Sequence, residues 1–481
     1  MSPRILKARI CELPDDVLAL TLSFLPIREA SRTSLLSCRW RYLWKDSMKF
    51  SSSLTLDEFS MTGNTYTDGE FGEEGSPLET EQYKFVGWVD LMLQLGYAPV
   101  IDLFRLRFPM TKDFAHHIDK WIKVAVTKRA QRYHIDLSGF NTIIYMFDFP
   151  FENLYTFPDW LFTQESGPSV VSLHLKSCAL RCLGFNFFSS LADLQLHSVL
   201  LDQGIIEKFL LECPNIEELV LVNCWKLHKL SISGSSLKLK QLKIVRCQTL
   251  CYIEIKARNL TKFEYSGGQV QISFVDARVL SDFVICAFTH QDKDFPINYA
   301  LTKLSSDLPQ LEMLFLEAAP LRENKIPRRL PMFEKLKKLG VQITGSEVES
   351  LWGFIHLLHA SPCLHMLELH LSTPYPEYIK QKRPLDVAHL HLKEIVVSGF
   401  QGDSHEIELM RYLLSNCVAL KKVTLDECDK IYDYIDSAMY SMKQYPGHND
   451  KFKLAETKKL VQEQIVPFVP PGVEFLYIDG L

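Results

Sequence analysis

The sequence has no uninterrupted apolar run of the roughly 20 residues that a membrane-spanning helix needs. Its first ten residues, MSPRILKARI, carry positive charge but no apolar core of secretory length. We therefore expect the chain to act in the cytoplasm or nucleus, with no membrane partner. In these compartments its 12 cysteines are expected to be mostly reduced thiols.

The sequence also lacks a basic excess. It has 53 Lys and Arg against 58 Asp and Glu, a net charge of −5, whereas a nucleic-acid-binding protein normally carries a basic surface. We therefore expect no nucleic-acid partner. With 47% hydrophobic and 23% charged residues the composition is that of a folded protein. At 481 residues the chain is too long for one core, so we expect at least two domains, or one domain joined to an extended repeat array.

Cations are missing from one long stretch. Between Phe50 and Tyr83 there is no Lys, Arg or His, while acidic residues recur among Gly, Ser and Thr. One-signed charge with few apolar residues is typical of a solvated linker. We therefore predict an acidic linker over 50–83 that separates a small N-terminal module, 8–49, from the rest.

Catalytic motifs are absent as well. The sequence contains no Gly-rich phosphate loop, no nucleophile elbow and no zinc-protease signature. We therefore expect no catalytic residue and no cofactor.

What the sequence does contain is a repeat of the form apolar-x-x-apolar-x-apolar. The steps between copies are 21, 25, 23, 21 and 20 residues from 170 to 280, and 28, 28 and 28 residues from 336 to 420. These steps fall in the range of leucine-rich repeats. Clear or weak copies begin at Val170, Leu191, Ile216, Leu239, Leu260, Leu280, Leu311, Leu336, Leu364, Leu392, Leu420 and Val473, and degenerate copies begin at Ile101 and Ala130.

Between these strand-like triples the chain shows helical periodicity, as in DQGIIEKFLLECPNI and HEIELMRYLLSNCVAL. The predicted fold class is therefore α/β: a solenoid of parallel strands with return helices, preceded by a small helical module. We divide it into degenerate repeats over 84–160, leucine-rich repeats over 161–390, a segment over 391–428 that continues them, and a C-terminal helix and last strand over 429–481.

The cysteines follow the repeat. Four of them stand three residues after the second strand apolar, where a small side chain turns into the core, and two end return helices. We therefore interpret them as buried structural thiols. The first four are Cys178, Cys224, Cys247 and Cys428, and the other two are Cys213 and Cys417.

One cluster resembles a metal-ligand set, because two His separated by three residues share a helix face and imidazole and thiolate suit zinc. The cluster is His356, His359, Cys363 and His365. However, the repeat would spread these side chains over different faces. We therefore expect no metal.

The opening helix, ELPDDVLALTLSFLP, is apolar on two faces, and the module that follows is too small to bury both. With the following IREASRTSLLSCRWRYLW it resembles a plant F-box, the module that docks on the Skp-type adaptor of a cullin–RING ubiquitin ligase. The resemblance implies an adaptor-binding surface made of Leu13, Pro14, Val17, Leu18, Leu25 and Pro26.

The resemblance continues into the repeats, where HLKEIVVSGFQGDSHEIELMRYLLSNCVALKKVTL is similar to the FBD segment of plant F-box/leucine-rich-repeat proteins. The C-terminal VQEQIVPFVPPGVEFLYIDGL departs from that segment's usual ending, so the resemblance to FBD is partial. The family implies a substrate-recognition subunit of an SCF-type ubiquitin ligase that binds a target protein. The alternative is a repeat scaffold or inhibitor without a ligase, whose N-terminal helices only cap the array.

In a solenoid the ligand usually meets the concave face, which the strands line. The positions between the two strand apolars point to that face. We therefore predict target contacts from His174, Gln195, Val220, Lys243, Phe315, Glu368 and Thr424.

Overall fold

The computed structural model divides the chain into two compact units, residues 1–227 with 236–238 and residues 228–235 with 239–481. The structure describes residues 10, 13–63, 78–95, 97–138, 151–157, 169–181, 188–234, 236–287, 295–318, 331–343, 354–371, 387–428 and 451–479.

The N-terminal unit begins with helices α1 (Asp15–Leu22), α2 (Ile27–Arg32) and α3 (Leu43–Ser47). Pro14 and Pro26 immediately precede the first two helices, where the fixed φ of proline suits the helix start and its missing N–H costs nothing. The core of this helical module is small. It consists of Leu18, Leu22, Ala30, Trp40 and Leu43, with Leu13 and Trp44 packed against it.

A parallel sheet follows in the same unit, with the strand order β1-β2-β3-β5-β7-β9. The short strands β4, β6 and β8 form a second parallel ladder. In chain order the elements are β1 (Ser53–Asp57), α4 (Glu58–Thr62), α5 (Leu78–Leu93), β2 (Leu103–Arg107), α6 (Ala115–Thr127), β3 (Arg132–Asp136), β4 (Tyr155–Thr156), β5 (Ser172–Lys176), β6 (Cys178–Leu180), β7 (Asp193–His197), β8 (Leu200–Leu201), α7 (Ile205–Glu212) and β9 (Glu218–Val222).

The prediction of an acidic linker over 50–83 is wrong at both ends. Residues 53–57 form β1, which pairs in register with β2, and α5 begins at Leu78. Leu54 and Leu56 are 0% exposed, so burial of these two side chains outweighs the acidic character of their surroundings. The middle of the predicted linker, residues 64–77, lies outside the described residues.

The C-terminal unit also contains a main parallel sheet and a second, three-stranded ladder. Its main parallel sheet has the order β11-β13-β15-β16-β17-β18-β19-β20-β21, and β10, β12 and β14 form a second ladder. In chain order the elements are β10 (Lys229–Ser233), β11 (Gln241–Val245), β12 (Tyr252–Lys256), β13 (Lys262–Gly267), β14 (Gln271–Asp276), β15 (Asp282–Ala287), α8 (Phe295–Tyr299), α9 (Ser305–Asp307), β16 (Met313–Ala318), β17 (Lys338–Ile343), α10 (Ile355–His359), β18 (Met366–Leu371), β19 (Glu394–Ser398), α11 (Ser404–Asn416), β20 (Lys422–Asp426), α12 (Lys451–Gln464) and β21 (Glu474–Ile478).

Each predicted apolar triple coincides with a strand of a main sheet, and the last strand predicted near Val473 is β21. The return helices are confirmed only in part. Where the step between triples is 20 to 23 residues, the return segment is a short strand: β6, β10, β12 or β14. The 25-residue step contains helix α7, and the 28-residue step before Leu420 contains helix α11. A short step leaves too few residues for a helix and two turns, so the chain returns extended. Residues 391–428 continue the main sheet through β19 and β20.

The cysteine interpretation is confirmed where the repeat predicted it. Cys178, Cys224 and Cys247 are at most 2% exposed, and burial raises the pKa of the Cys178 thiol to about 12. The residue before each of these cysteines has a positive φ, which turns the chain after the strand and directs the thiol inwards. Cys213 and Cys417 end α7 and α11 and are buried, whereas Cys428 is half-buried.

Helix α11 begins with a capping box that contains a buried carboxyl group. The Asp403 side chain accepts from the N3 backbone, and Glu406 Oε2 accepts from the N–H groups of Gln401 and Gly402 at 2.9 and 2.8 Å. Glu406 is 1% exposed. Burial raises the pKa of this carboxyl from 4.5 to about 8, although the backbone hydrogen bonds oppose the shift.

Because the folded state raises the pKa of Glu406, it holds the proton more tightly than the unfolded chain. This contribution to stability is fully present below pH 4.5 and is lost as pH rises to about 8. We therefore expect the melting temperature of the parent to fall over this window more steeply than that of Glu406→Gln. Thermal melts at half-unit pH steps test this, with the exposed Glu408→Gln as the control. Parallel profiles for the parent and Glu406→Gln would contradict it.

Candidate adaptor-docking and target-binding surfaces

The helical module exposes more apolar surface than its small core can explain. Several large side chains on and between α1, α2 and α3 face solvent. They are Val17 (42% exposed), Leu20 (45%), Phe24 (81%), Leu25 (42%), Leu35 (85%), Leu36 (67%) and Tyr42 (61%). A patch of this kind on a small module is typical of a protein-docking surface.

The predicted adaptor-binding residues separate into two groups. Pro14, Val17, Leu25 and Pro26 are exposed, whereas Leu18 is 0% exposed. Leu18 is therefore a core residue, and its assignment as a contact is corrected. Leu13 is half-buried and packs against the core.

Sequence reasoning missed the most exposed members of the patch. Phe24, Leu35 and Leu36 were not among the predicted contacts, although the two-faced helix already pointed to Phe24. Leu36 is 67% exposed, whereas the nearby Trp40 belongs to the core and Trp44 packs against it.

Arg39 holds the start of this surface in place. Its guanidinium forms an ion pair with Asp15 at 2.6 Å and donates a hydrogen bond to the carbonyl of Leu13 at 2.5 Å. This contact ties the segment leading into α1 to the chain between α2 and α3. It therefore orders the Leu13–Pro14 corner before any partner binds.

The helical module is attached to the first strands of its own unit. The carbonyl of Met48 accepts from the N–H of Ala98 at 3.1 Å, and the carbonyl of Ser52 accepts from Asp102 at 2.6 Å. On the other side, a Cβ atom at Gly63 would lie 0.8 Å from Nη1 of Arg28. The guanidinium of α2 thus occupies the space above the glycine that ends α4.

A second candidate surface is the sheet face opposite the core positions, which we call the concave face. In the N-terminal unit the pairing aligns its central residues into one row, because side chains alternate between the two faces of a strand. From β1 to β9 this row reads Thr55, Arg105, His134, His174, Gln195 and Val220.

The predicted contacts His174 and Gln195 lie in this row and share a carboxylate. His174 Nε2 is hydrogen-bonded to Asp193 Oδ2, and Gln195 Nε2 donates a hydrogen bond to Asp193 Oδ1 at 3.1 Å. Burial acts to raise the pKa of Asp193, but the hydrogen bond and charge of His174 outweigh it, so this pKa lies below its usual value. The His134 ring stacks on His174 with 4.2 Å between centroids.

A Ser, a His and an Asp meet here, but not as a nucleophilic triad. Ser172 Oγ lies 3.0 Å from His174 Nε2, and Asp193 Oδ2 contacts the same nitrogen. A triad needs the carboxylate on one ring nitrogen and the hydroxyl on the other. The cluster therefore positions side chains on the concave face.

In the C-terminal unit the concave face is largely closed. Phe315, predicted as a contact, is 2% exposed and packs with Val284 and Cys286. Its ring lies where a side chain at position 340 would be, since a Cβ on Gly340 would approach Phe315 Cδ2 to 2.4 Å.

Two further predicted contacts are buried. Glu368 is 4% exposed and is paired with Lys338 at 2.8 Å, and Val220 is 7% exposed. The assignment of Val220, Phe315 and Glu368 as target contacts is therefore corrected. Lys243 and Thr424 are half-buried and remain on the concave face.

The histidine cluster does not form a ligand set. Cys363 is exposed, the rings of His356 and His359 are 6.3 Å apart, and His359 is instead bonded to the hydroxyl of Tyr412 at 3.0 Å. No group of His, Cys, Asp or Glu in the described part of the chain is arranged to hold a metal ion. Among the described helices, none is long and apolar enough to cross a bilayer.

These features define a class of protein: a leucine-rich-repeat solenoid that carries a small N-terminal helical module with an exposed apolar patch. Family comparison agrees with both parts. Residues 10–52 match the F-box domain, and residues 100–479 match the LRR domain of the At1g61320/AtMIF1 family. The chain belongs to the plant F-box/leucine-rich-repeat proteins.

The chain is similar over most of its length to F-box/LRR-repeat proteins of one plant. It is 25% identical over 452 residues to the putative F-box/LRR-repeat protein At5g54820 of Arabidopsis thaliana, covering 87% of this chain and 90% of the relative. It is 24% identical to the F-box/FBD/LRR-repeat protein At2g26030 of the same plant, covering 87% and 91%. Among solved structures, the chain matches an internalin from Listeria monocytogenes at 13% identity and a TM-score of 0.18. The match covers 55% of this chain and 83% of the internalin chain.

Proposed function

We propose that this protein is the substrate-recognition subunit of an SCF-type ubiquitin ligase. The F-box would bind a Skp-type adaptor, and the repeats would bind a target protein for ubiquitin-dependent degradation. The observation that carries the proposal is the exposed apolar patch on a module that already has its own closed core.

The protein would catalyse nothing itself. It would raise the effective concentration of a target near a ubiquitin-charged enzyme, so we assign no catalytic residue and no cofactor. Cysteines that form no disulfide in the described part of the chain suit a reducing compartment, and we propose that the protein acts in the cytoplasm or nucleus. We assign residues 391–428 to a partial FBD-like segment.

One observation favours the alternative hypothesis of a scaffold without a ligase, in which the N-terminal helices only cap the repeats. The contacts of Met48 and Arg28 do join the helical module to the first strands. However, these contacts lie apart from Val17 and Leu25, which remain exposed. A cap would not need an exposed apolar patch on the side that faces solvent.

The test is Val17→Asp with Leu25→Asp in the full chain. Buried apolar anchors typically contribute about 2 kcal/mol or more to an interface, so we expect co-purification with a Skp-type adaptor to weaken by about tenfold or more. The melting temperature should barely change, because both side chains are exposed.

The matched control is Leu211→Asp with Val275→Asp, which adds the same two charges at side chains 76% and 55% exposed outside the module. The control should bind the adaptor like the parent. Equal adaptor binding by the parent and the Val17/Leu25 variant would favour the scaffold function.

A further inference from the structure

The concave face of the N-terminal unit is open at β2, β3, β5 and β7, whereas that of the C-terminal unit is closed in the middle of its sheet, at β15, β16 and β18. Arg105 and Arg132 are exposed, and His134, His174 and Gln195 are half-buried. The central residues of these three C-terminal strands, Val284, Phe315 and Glu368, are at most 4% exposed, whereas Lys243 and Thr424 on other strands are half-buried. A protein ligand that binds a strand-lined face can therefore contact side chains on β2, β3 and β5 without displacing packed residues.

This open part is rich in cations, although the chain as a whole carries a net charge of −5. Its cationic side chains are Arg105 and Arg107 on β2, Arg132 on β3 and Lys176 on β5. Three carboxylates lie among or beside them, and one of these is Asp57 of β1, which stands opposite Arg107 in the ladder. Asp102 pairs with Arg132, and Asp136 is shared by Arg107 at 3.7 Å and Lys176 at 3.5 Å.

Of these four cations, Arg105 is the one with no carboxylate partner in the described part of the chain. It stands at the centre of β2, and within the described part of the chain no acidic side chain lies within ion-pair distance of it. Its row neighbour His134 does not compete for an anion, because burial, together with the nearby His174 and Arg105, lowers the pKa of that imidazole to about 4. The guanidinium therefore presents its fork of donors to solvent, and such a fork matches a carboxylate in a two-point contact.

We propose that the concave face of β2, β3 and β5 binds an acidic peptide segment of the target, with Arg105 as the central contact. Arg107 and Arg132, whose side chains are 59% and 49% exposed, would flank it. The cluster of Ser172, His174 and Asp193 bounds the site on one side, because its carboxylate is already bonded and would repel further acidic residues. The inference rests on the proposed function as a target-recruiting subunit.

Fluorescence anisotropy on the full chain tests the proposal. The probe is a fluorescein-labelled peptide of six Glu-Gly repeats, compared with six Gln-Gly repeats and six Lys-Gly repeats. We expect only the acidic peptide to bind, more weakly as salt rises. Arg105→Glu should weaken its binding by about fivefold or more, since an exposed attraction becomes a repulsion of similar size. Arg105→Lys keeps the charge but loses the forked donors of the guanidinium. Its affinity for the acidic peptide should lie between those of the parent and Arg105→Glu.

The control is Arg181→Glu, which reverses an exposed arginine of the same unit just after β6, away from the main sheet. It should bind the acidic peptide like the parent, and melting curves should show both variants folded. Equal binding of the Glu-Gly and Gln-Gly peptides, or equal loss in Arg105→Glu and Arg181→Glu, would overturn the proposal.

Adaptor co-purification, measured on the same protein samples, separates this proposal from the proposed function. Arg105→Glu should retain the adaptor, because Arg105 lies outside the exposed patch of the helical module. Failure of the parent to bind the acidic peptide, with the adaptor retained, would reject the acidic-segment site alone. Failure of the parent to bind any adaptor while the peptide binds would reject the ligase function.

Discussion

Leu219→Asp and Leu367→Asp should each abolish the soluble protein. Both leucines are 0% exposed, on β9 and β18, and each belongs to a triple that aligns with its neighbours in the sheet. An aspartate there would place an unpaired carboxylate in the core, at a cost of about 3–5 kcal/mol, which is a large part of the stability of most domains. Soluble expression and circular dichroism are the measurements.

The same chemical change at exposed positions provides the control. Leu211→Asp on α7 and Leu390→Asp before β19 replace leucines that are 76% and 63% exposed, one in each unit. Both should express and melt like the parent. If the core variants behaved like these controls, the assignment of the strand apolars to the core would be wrong.

Removal of residues 1–83 should leave the rest of the chain insoluble, whereas removal of residues 1–49 should not. The longer truncation deletes β1, and with it Leu54 and Leu56, which are 0% exposed. It would leave the edge of β2 and the neighbouring buried Phe104 and Leu106 uncovered. The shorter truncation keeps β1 and loses the contacts of the helical module with its neighbours, those of Arg28 and Met48 among them, so we expect a folded protein with a lower melting temperature.

Expression trials and size-exclusion chromatography of the two truncated forms decide this prediction. A soluble, monomeric 84–481 fragment would show that the N-terminal module and the repeats are separable at the acidic segment. An insoluble 50–481 fragment would show instead that the helical module itself is needed to cover the first repeat.

The fold could be predicted from the sequence where one residue type decides the structure. Leucine or another apolar residue at three fixed positions predicts a strand of the main sheet. A cysteine three positions after the last of them is predicted to be buried. The prediction failed at β1 because its first position is Ser51 instead of an apolar residue, although Leu54 and Leu56 are present. The strand returns were missed because apolar residues alone do not tell a helix from a strand in so short a segment.

The candidate sites were harder to predict because exposure depends on neighbours that are distant in sequence. Whether Phe315 faces solvent is decided by Gly340 and Val284, which lie on other strands. Likewise, Leu18 is buried because α3 packs against α1. The two-faced helix correctly indicated a surplus of apolar surface, but the sequence could not assign each leucine to the core or to the surface.

The return segments vary in kind while the main sheet stays aligned. Leu173 pairs with Leu194 across a 21-residue step, and Leu367 pairs with Ile395 across a 28-residue step, in the same register. A return can therefore gain or lose a helix without moving any side chain that a ligand would meet, whereas one residue inserted into a strand would turn its apolar residues outwards. We expect length differences among descendants of this gene to accumulate in the returns. The concave face and the return segments would then evolve at independent rates.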